Sequence, residues 1–199
     1  MSNRSAAMEG LRYLDFIWDR LRSMADGSAP SAAVHLATVS STGSPGLRTV
    51  IGREASFDEA TVSFITDIRS TKIKDIRRDP RVSAIAYELE SRVQIKLAGT
   101  AAIVEDEDAR RAMWERLKPH TRKQFEADLP PGIALYSANG APMSWEDDGG
   151  SPKEPYERFA LVSISVTSVE WLDVSSAEHL RYAFYRDRRP KWHGIRISP

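Results

Sequence analysis

The stretch at 91–106, SRVQIKLAGTAAIVED, restricts the possible folds more than any other part of the chain. Polar and apolar side chains alternate in its first part, in the order Arg92, Val93, Gln94, Ile95, Lys96, Leu97. A period of two is typical of a β-strand with one buried and one exposed face, so Gln94 and Lys96 lie on the same face. The fold must therefore contain a strand that covers a core.

The remaining sequence predicts further strands joined as antiparallel neighbours. Strand-like runs lie at 33–40, 47–57, 61–66, 81–89 and 156–174, and a last one lies in KWHGIRISP. Turn signals such as STGSPG have the short spacing of hairpins, and strands and helices do not alternate as in a βαβ fold. We therefore expect one domain over 1–199, of the mainly β (α+β) class: an antiparallel barrel of about six strands with peripheral helices.

Three helices are predicted around this barrel. Apolar residues at helical spacing indicate an amphipathic helix over 8–24. The residues of its apolar stripe are Leu11, Leu14, Trp18 and Leu21. A short helix is expected over 70–78, ended by Pro80, and a third over 105–117, where acids in the first turn match the helix dipole.

Two segments have weaker patterns. Residues 119–155 contain LPPG and NGAPMSWEDDGGSPKEP, and this density of Gly, Pro, Asn and Asp predicts a long loop. Residues 176–186, SAEHLRYAFYR, are expected to form a short helix or a turn, with Ser176 as the N-cap.

Composition excludes several classes of function. The 28 basic residues balance the 28 acidic ones, so no overall charge attracts nucleic acid or an acidic membrane, and an anion site must be local. The chain has no cysteine, and its four histidines lack the spacing of a zinc motif, so we predict no metal site and no thiolate nucleophile. No signal-peptide core or membrane-spanning run is present, and we expect a cytoplasmic protein without a membrane or nucleic-acid partner.

The segment SFITDIRSTKIKDIRRDP at 63–80 raises the first functional question. A strand-like run is followed at once by a helix start that contains Ser70, Thr71 and Lys72. The first turn of a helix offers unpaired N–H groups and partial positive charge, which favours phosphate binding. Ordinary helix capping with a solvated lysine explains the same residues, and both interpretations stay open here.

Other candidate residues are each ambiguous alone. Arg48 shares a strand face with Val50 and Gly52 and could grip a phosphate, or it could be an ordinary edge arginine. Gln94 can donate to and accept from the edge of a heteroaromatic ring, or it can face solvent. Trp171 could contact a ligand or could pack in the core, and His179 and Arg181 could contact a ligand or could be ordinary surface groups.

Four motifs in the same order make these signals specific. LRTVIGR looks like an R-x-V-L-x-K strand, and FITDIRSTKIKDIRRDP like F-x-T-x-x-x-S-x-K…L…N-P. RVQIKLAG looks like R-Q-V-R-x-x-G, and the C-terminal part has the pattern W, H-x-R, W and a terminal L-x-P. With these motifs the chain resembles the pyridoxamine 5′-phosphate oxidase-like family of flavin proteins, over about 31–110 and from 159 onwards.

The resemblance implies a six-stranded antiparallel split barrel of the FMN-binding type, with FMN at the interface of a homodimer. The flavin phosphate would be held by Arg48, Ser70, Thr71 and Lys72. The flavin would run along Thr49, Val50 and Ile51, with Ile65 and Thr66 beside it. Gln94 would hydrogen-bond the isoalloxazine edge, and Trp171 and Arg181 would come from the partner subunit.

The departures from the family concern the substrate. Ala177 stands where the oxidase has the arginine of an R-x-H pair, although His179 is kept, and Arg53 replaces the lysine that ends the first motif. The segment 114–140 lacks the expected Y…R…S arrangement. The resemblance thus implies an FMN-dependent oxidoreductase for a small-molecule substrate, with Arg53 and His179 as candidate substrate contacts and no catalytic residue identified. The alternative is a non-catalytic protein that binds or stores flavin, or a haem-like ligand, on the same barrel.

Overall fold

The computed structural model describes residues 3–26, 33–141, 143, 152–187 and 191–199, with side chains from residue 12 onwards in the first helix. The strands are β1 (Ala33–Val39), β2 (Pro45–Ser56), β3 (Thr61–Asp67), β4 (Arg81–Glu88), β5 (Val93–Ile103), β6 (Phe159–Asp173), β7 (Leu180–Arg186) and β8 (Trp192–Ile197). The helices are α1 (Asn3–Asp26), α2 (Thr71–Arg78), α3 (Glu107–Arg116), α4 (Pro119–Arg122) and α5 (Pro155–Arg158), and a 3₁₀ turn covers Lys123–Phe125. None of the described helices is long and apolar enough to cross a membrane.

The strands form a closed barrel with two additional strands. Their order is β3-β2-β1-β4-β5-β6-β7-β8, and a further pairing of β3 with β6 closes the first six into a ring. All neighbouring pairs are antiparallel. In β6, residues 159–165 pair with β3, whereas residues 168–173 pair with β7. The prediction of a six-stranded antiparallel barrel is confirmed, and β7 and β8 extend it.

Helix α1 covers the apolar interior at one side of this sheet. Its residues Leu14, Ile17 and Trp18 are fully buried, and it packs against β2 and β8. The Trp18 ring makes edge contacts with Phe57 at 5.9 Å and with Trp192 at 6.3 Å between ring centroids. Full burial of each large apolar side chain stabilises the fold by about 1.5–3 kcal/mol. The predicted helix is confirmed, and Leu11 lies outside the described side chains.

A second apolar cluster lies outside the barrel, between α3 and the first half of β6. It consists of Met113, Leu117, Phe125, Phe159 and Leu161. Trp114 packs edge-on against Phe125 at 5.6 Å and Phe159 at 5.4 Å. The chain is helical at 119–125, and Phe125 from this segment packs in the cluster. The prediction of a continuous loop over 119–155 is therefore wrong at 119–125, and 142 and 144–151 lie outside the described residues. The strand predicted over 156–174 begins later, at Phe159, because 155–158 form α5.

The expected helix or turn over 176–186 is also corrected. A bend covers 175–178, and the chain then continues as strand β7. Tyr182 and Phe184 are buried on the inward face of β7, at the period of two that a strand requires. Ser176 does not cap a helix, because its hydroxyl donates to the carbonyl of Glu178 at 2.7 Å. The helices predicted over 70–78 and 105–117 are confirmed as α2 and α3.

Candidate functional site

Three residues separate the end of β3 from the start of α2, as the pattern at 63–80 predicts. Ser70 occupies the N-cap position with extended backbone angles, φ −67° and ψ 151°, but its side chain makes no capping hydrogen bond. Instead the Ser70 Oγ lies 3.4 Å from the Thr66 Oγ1. Ordinary side-chain capping therefore does not explain the hydroxyl group at this position.

Lys72 is a half-buried cation in the first turn of α2. Its Nζ donates to the Thr66 Oγ1 at 2.9 Å, and no carboxylate of the described residues lies within ion-pair distance of it. Burial lowers the pKa of Lys72, the positive charge of Arg48 lowers it further, and the charge of Asp67 partly opposes both effects. An anion at this position would supply the missing counter-charge.

Arg48 reaches from β2 to α2 and is held in a fixed orientation. Its Nη2 lies 3.3 Å from the Asp75 Oδ2, and its Nη1 donates to the Thr38 Oγ1 at 2.6 Å and to the Gly46 carbonyl at 2.8 Å. The Thr38 hydroxyl also donates to the Asp75 Oδ2 at 2.6 Å. Asp75 is only 5% exposed, so Arg48 is positioned by a buried carboxylate.

The charges around this turn leave an excess of one cation. Arg48 is paired with Asp75, and Arg69 is paired with Asp67 at 2.7 Å. Lys72 adds a further positive charge, and the first N–H groups of α2 have no intrahelical acceptor. The set therefore fits an anionic group such as a phosphate. We call Arg48, Thr66, Ser70, Thr71 and Lys72 the phosphate cradle.

The predicted flavin-contact residues of β2 lie on both faces of the strand. Thr49 and Ile51 point away from the barrel, and Ile51 is 40% exposed. Val50 is buried in the interior beside Val34. On β3, Ile65 packs on the second apolar cluster, next to Thr66 in the cradle. Thr49 and Ile51 are therefore the members of this group that offer an outward surface.

Gln94 lies on the opposite side of the barrel from the outward face of β2. It points outward from β5, between Tyr87 of β4 and Leu172 of β6. Strands β2 and β5 are three places apart in the closed ring of six, so their outward faces point in opposite directions. Within one chain, the Thr49 and Gln94 side chains therefore do not converge on one ligand.

Arg181 and Trp171, predicted to act together, are separated by the sheet. Arg181 points outward from β7 and binds Glu170 at 2.6 Å, and Glu170 also accepts from Lys96 at 3.0 Å. These hydrogen bonds, that from Arg181 first, lower the pKa of Glu170. Trp171 points inward, opposite Tyr182 in the strand register.

Trp171 is part of the core in this chain. It is 4% exposed and packs 4.7 Å from the Tyr13 ring of α1. Its indole Nε1 is buried and has no hydrogen-bond partner among the described residues. The contact of Trp171 with a flavin stays a prediction.

A cavity of about 580 Å³ lies beside β2, β3 and α3, and Arg53 lines it. The register of β2 against β3 shifts between Gly52 and Glu54, and such a β-bulge re-aims the side chain at its centre, Arg53. Burial lowers the pKa of Arg53, whose Nε is buried without a hydrogen-bond partner in the described chain. The Nε of Arg53 can therefore donate a hydrogen bond to a ligand.

Arg116 on α3 also lines this cavity, and the sequence analysis did not identify it as a site residue. It forms an ion pair with Glu54, which lies next to Arg53. Hydroxyl groups of Thr61, Ser63 and Ser163 complete the polar wall. In the sequence, nothing in the helical surroundings of Arg116 distinguishes it from a solvated arginine. Its position beside Arg53 becomes visible only in the folded chain. His179 is exposed in the segment before β7, and its role stays a prediction.

Comparison with known proteins gives one family. Residues 16–105 match the family model described as "Pyridoxamine 5'-phosphate oxidase, FMN-binding domain". This region includes the cradle and Gln94, and it ends before α3.

The curated relatives are pyridoxine/pyridoxamine 5′-phosphate oxidases. The protein from Crocosphaera subtropica is 36% identical over 87 residues, which are 44% of this chain and 39% of that protein. The protein from Rhizobium etli is 29% identical over 192 residues, covering 88% of this chain and 87% of that protein. The first match thus spans about two fifths of that relative's length.

A solved structure supports the same assignment over nearly the whole chain. A pyridoxamine 5′-phosphate oxidase-related, FMN-binding protein from Nostoc punctiforme superposes with a TM-score of 0.72 and 25% identity, covering 91% of this chain and 94% of that one. The superposition agrees with the closed barrel and its two added strands. The chain is therefore similar to the pyridoxamine 5′-phosphate oxidase-like split-barrel family, in sequence over residues 16–105 and in fold over nearly its whole length.

Proposed function

We propose that the protein is an FMN-dependent oxidoreductase that acts on an anionic small molecule. The observation that supports it most is the half-buried Lys72, which has a hydroxyl partner and no carboxylate partner at the start of α2. Arg48, oriented by Asp75, adds a second donor on the same side. When bound, FMN supplies the redox chemistry, and these residues bind and orient its phosphate.

The flavin site requires a second copy of the chain in this proposal. The outward face of β2, with Thr49 and Ile51, and the outward face of β5, with Gln94, point in opposite directions in one barrel, so we assign Gln94 and Arg181 to the site of a partner subunit. The outward face that carries them also exposes Tyr87 (49%) and Ile195 (53%), whereas Leu47 (71%) is exposed on the outward face of β2. A homodimer would bury this apolar surface and bring Gln94 of the partner subunit to the cradle.

The cavity beside β2 is the proposed substrate site. Its lining carries three basic side chains, Arg22, Arg53 and Arg116, and three acidic ones, Asp26, Glu54 and Glu59. Arg116 is paired with Glu54, whereas the buried Nε of Arg53 has no acceptor within the described chain, so Arg53 is the group that can bind an anion. Arginine binds carboxylate and phosphate through paired N–H groups. We therefore expect a substrate that carries a carboxylate or phosphate group. His179 remains a candidate second contact.

The first test is the absorption spectrum of the purified protein, followed by identification of the compound released on heating. A flavin spectrum with FMN as the released compound is the expected result. Protein that is colourless and does not bind added FMN would contradict the proposal. Arg48→Ala combined with Lys72→Ala should abolish flavin content, whereas Lys74→Ala combined with Arg77→Ala, which removes exposed cations of the same helix, should preserve it.

Catalysis requires a separate measurement. We expect a nicotinamide donor or an oxidisable anionic substrate to reduce the bound flavin, and Arg53→Ala to slow that reduction without changing flavin content. A flavin that none of these donors reduces would favour the alternative, a protein that binds or stores flavin. Pyridoxamine 5′-phosphate should be a poor substrate, because Ala177 replaces the arginine of the oxidase pattern.

A further inference from the structure

The turn at 125–128 is held from two distant parts of the chain. Arg158, 7% exposed, donates from its Nη1 to the carbonyls of Phe125 at 3.3 Å, Glu126 at 3.0 Å and Ala127 at 3.1 Å. Arg69 donates to the same turn, to the carbonyl of Ala127 at 2.8 Å and to that of Asp128 at 2.7 Å.

Arg69 is itself fixed by Asp67. The Arg69 Nε and Nη2 bind the two carboxylate oxygens of Asp67 at 3.0 Å and 2.7 Å, and the Asp67 Oδ1 also accepts from the Arg69 backbone N–H at 2.8 Å. Their side chains are only 7% and 8% exposed. Paired hydrogen bonds of this kind give a rigid geometry. Arg69 therefore joins the end of β3 to the 125–128 turn.

This arrangement lies directly beside the phosphate cradle. Arg69 immediately precedes Ser70, and Asp67 is close enough to Lys72 to affect its pKa. Lys72 nevertheless donates to the Thr66 hydroxyl, and both oxygens of Asp67 bind Arg69. Arg69 thus neutralises the carboxylate that would otherwise compete for the Lys72 ammonium.

We propose that Arg69, itself held against the 125–128 turn, is a positioning residue for the flavin phosphate: by binding both carboxylate oxygens of Asp67, it keeps Lys72 free to bind an anion. Arg69 does not contact the phosphate in this role, because its guanidinium donors are directed to Asp67 and to two carbonyl groups. The inference rests on the proposed function, since it concerns the same flavin site.

The test compares the affinities of the full-length protein for FMN and for riboflavin, which lacks the phosphate. The dissociation constant of riboflavin divided by that of FMN measures the contribution of the phosphate to binding, separately from overall folding. In Arg69→Met, Asp67 gains access to Lys72, and we expect the preference for FMN over riboflavin to fall roughly ten-fold. Arg69→Met combined with Asp67→Asn should restore most of the preference, because the competing charge is gone.

Arg158→Met is the matched control. It releases the same turn from the other side, so it should lower the thermal midpoint while leaving the ratio unchanged. An unchanged ratio in Arg69→Met, or an equal fall in Arg158→Met, would overturn the inference. If Arg69→Met does not fold, Arg69→Lys is the alternative variant, because it keeps a positive charge beside Asp67. We expect Arg69→Lys to lower the ratio by less than ten-fold. An unchanged ratio in Arg69→Lys would also overturn the inference. Wild-type protein that binds neither flavin would instead overturn the proposed function, and the inference with it.

Discussion

The ammonium nitrogen of Lys72 lies 2.9 Å from the hydroxyl oxygen of Thr66, at the point where β3 turns into α2. A hydroxyl group satisfies one of the three N–H donors of lysine but provides no counter-charge. Burial of a cation without a counter-charge costs folding free energy, so we expect Lys72 to lower the stability of the ligand-free protein. Such a cost is typical of a position selected to bind a ligand.

Replacement of Lys72 should therefore weaken FMN binding and raise the stability of the ligand-free protein. We expect Lys72→Met to weaken FMN affinity roughly 10- to 100-fold, because one charge-assisted hydrogen bond is lost. The ligand-free variant should unfold at a higher temperature than the wild type. Isothermal titration and thermal unfolding measure the two effects. Lys74→Met, an exposed lysine of the same helix, should change neither, and a destabilised ligand-free Lys72→Met would refute the buried-cation interpretation.

Subunit mixing tests whether Gln94 serves the flavin of the partner. Lys72→Met and Gln94→Ala should each bind FMN weakly as homodimers. In a mixed dimer, one site combines an intact cradle with an intact Gln94 of the partner subunit, so half of the sites should regain wild-type affinity. Titration of FMN into co-refolded mixtures gives the stoichiometry. If Gln94 acts within its own chain, no high-affinity site will form on mixing.

The network around Glu170 should give a measurable pH dependence of stability. Arg181 and Lys96 lower its pKa below the usual 4.5. The folded state therefore gains stability from this carboxylate above about pH 4.5, and it loses the gain as pH falls through the lowered pKa. Glu170→Gln should lower the free energy of unfolding by roughly 0.5–1 kcal/mol at pH 7.

Urea denaturation at a series of pH values checks this expectation. The difference between wild type and Glu170→Gln should shrink as the pH is lowered below 4.5. Glu90→Gln, an exposed glutamate in the turn before β5, is a suitable control. A difference that stays constant down to acid pH would show that the ion pairs do not cause it.

Gly99 should tolerate no side chain. A Cβ at this position would lie 2.0 Å from the carbonyl oxygen of Ser165, where the register of β5 against β6 shifts. We expect Gly99→Ala to destabilise the fold by about 3 kcal/mol, because backbone atoms must move. Gly43→Ala, at φ +82° with open space around it, should cost only about 1 kcal/mol. Chemical denaturation compares them, and equal losses would contradict the steric explanation.

The barrel was predictable because its strands alternate clearly in sequence. The alternation of Val93, Ile95 and Leu97 with polar neighbours directly reports the buried face of β5. The segment before β7 misled the prediction because SAEHL has a helix-start pattern, whereas burial of Tyr182 and Phe184 against the core decided the outcome. Tertiary packing overrides local preference in such segments.

The site was only partly predictable for a different reason. Sequence spacing identified the cradle, because Ser70 and Lys72 lie within one helical turn. It could not show that Asp75 orients Arg48, or that Arg116 lies near Arg53, since these contacts join distant residues. Nor could it show that Trp171 and Arg181 lie on opposite faces, because the strand register had first to be known.

Strand β6 pairs with β5 from Val162 to Asp173, with β3 from Phe159 to Ser165 and with β7 from Ser168 to Asp173. The ring therefore cannot close before the first half of β6 has left the ribosome. During synthesis, the first five strands exist with the edges of β3 and β5 unpaired, and such edges readily add strands from other chains. Because this one strand arrives late, we expect folding to be slow and sensitive to concentration.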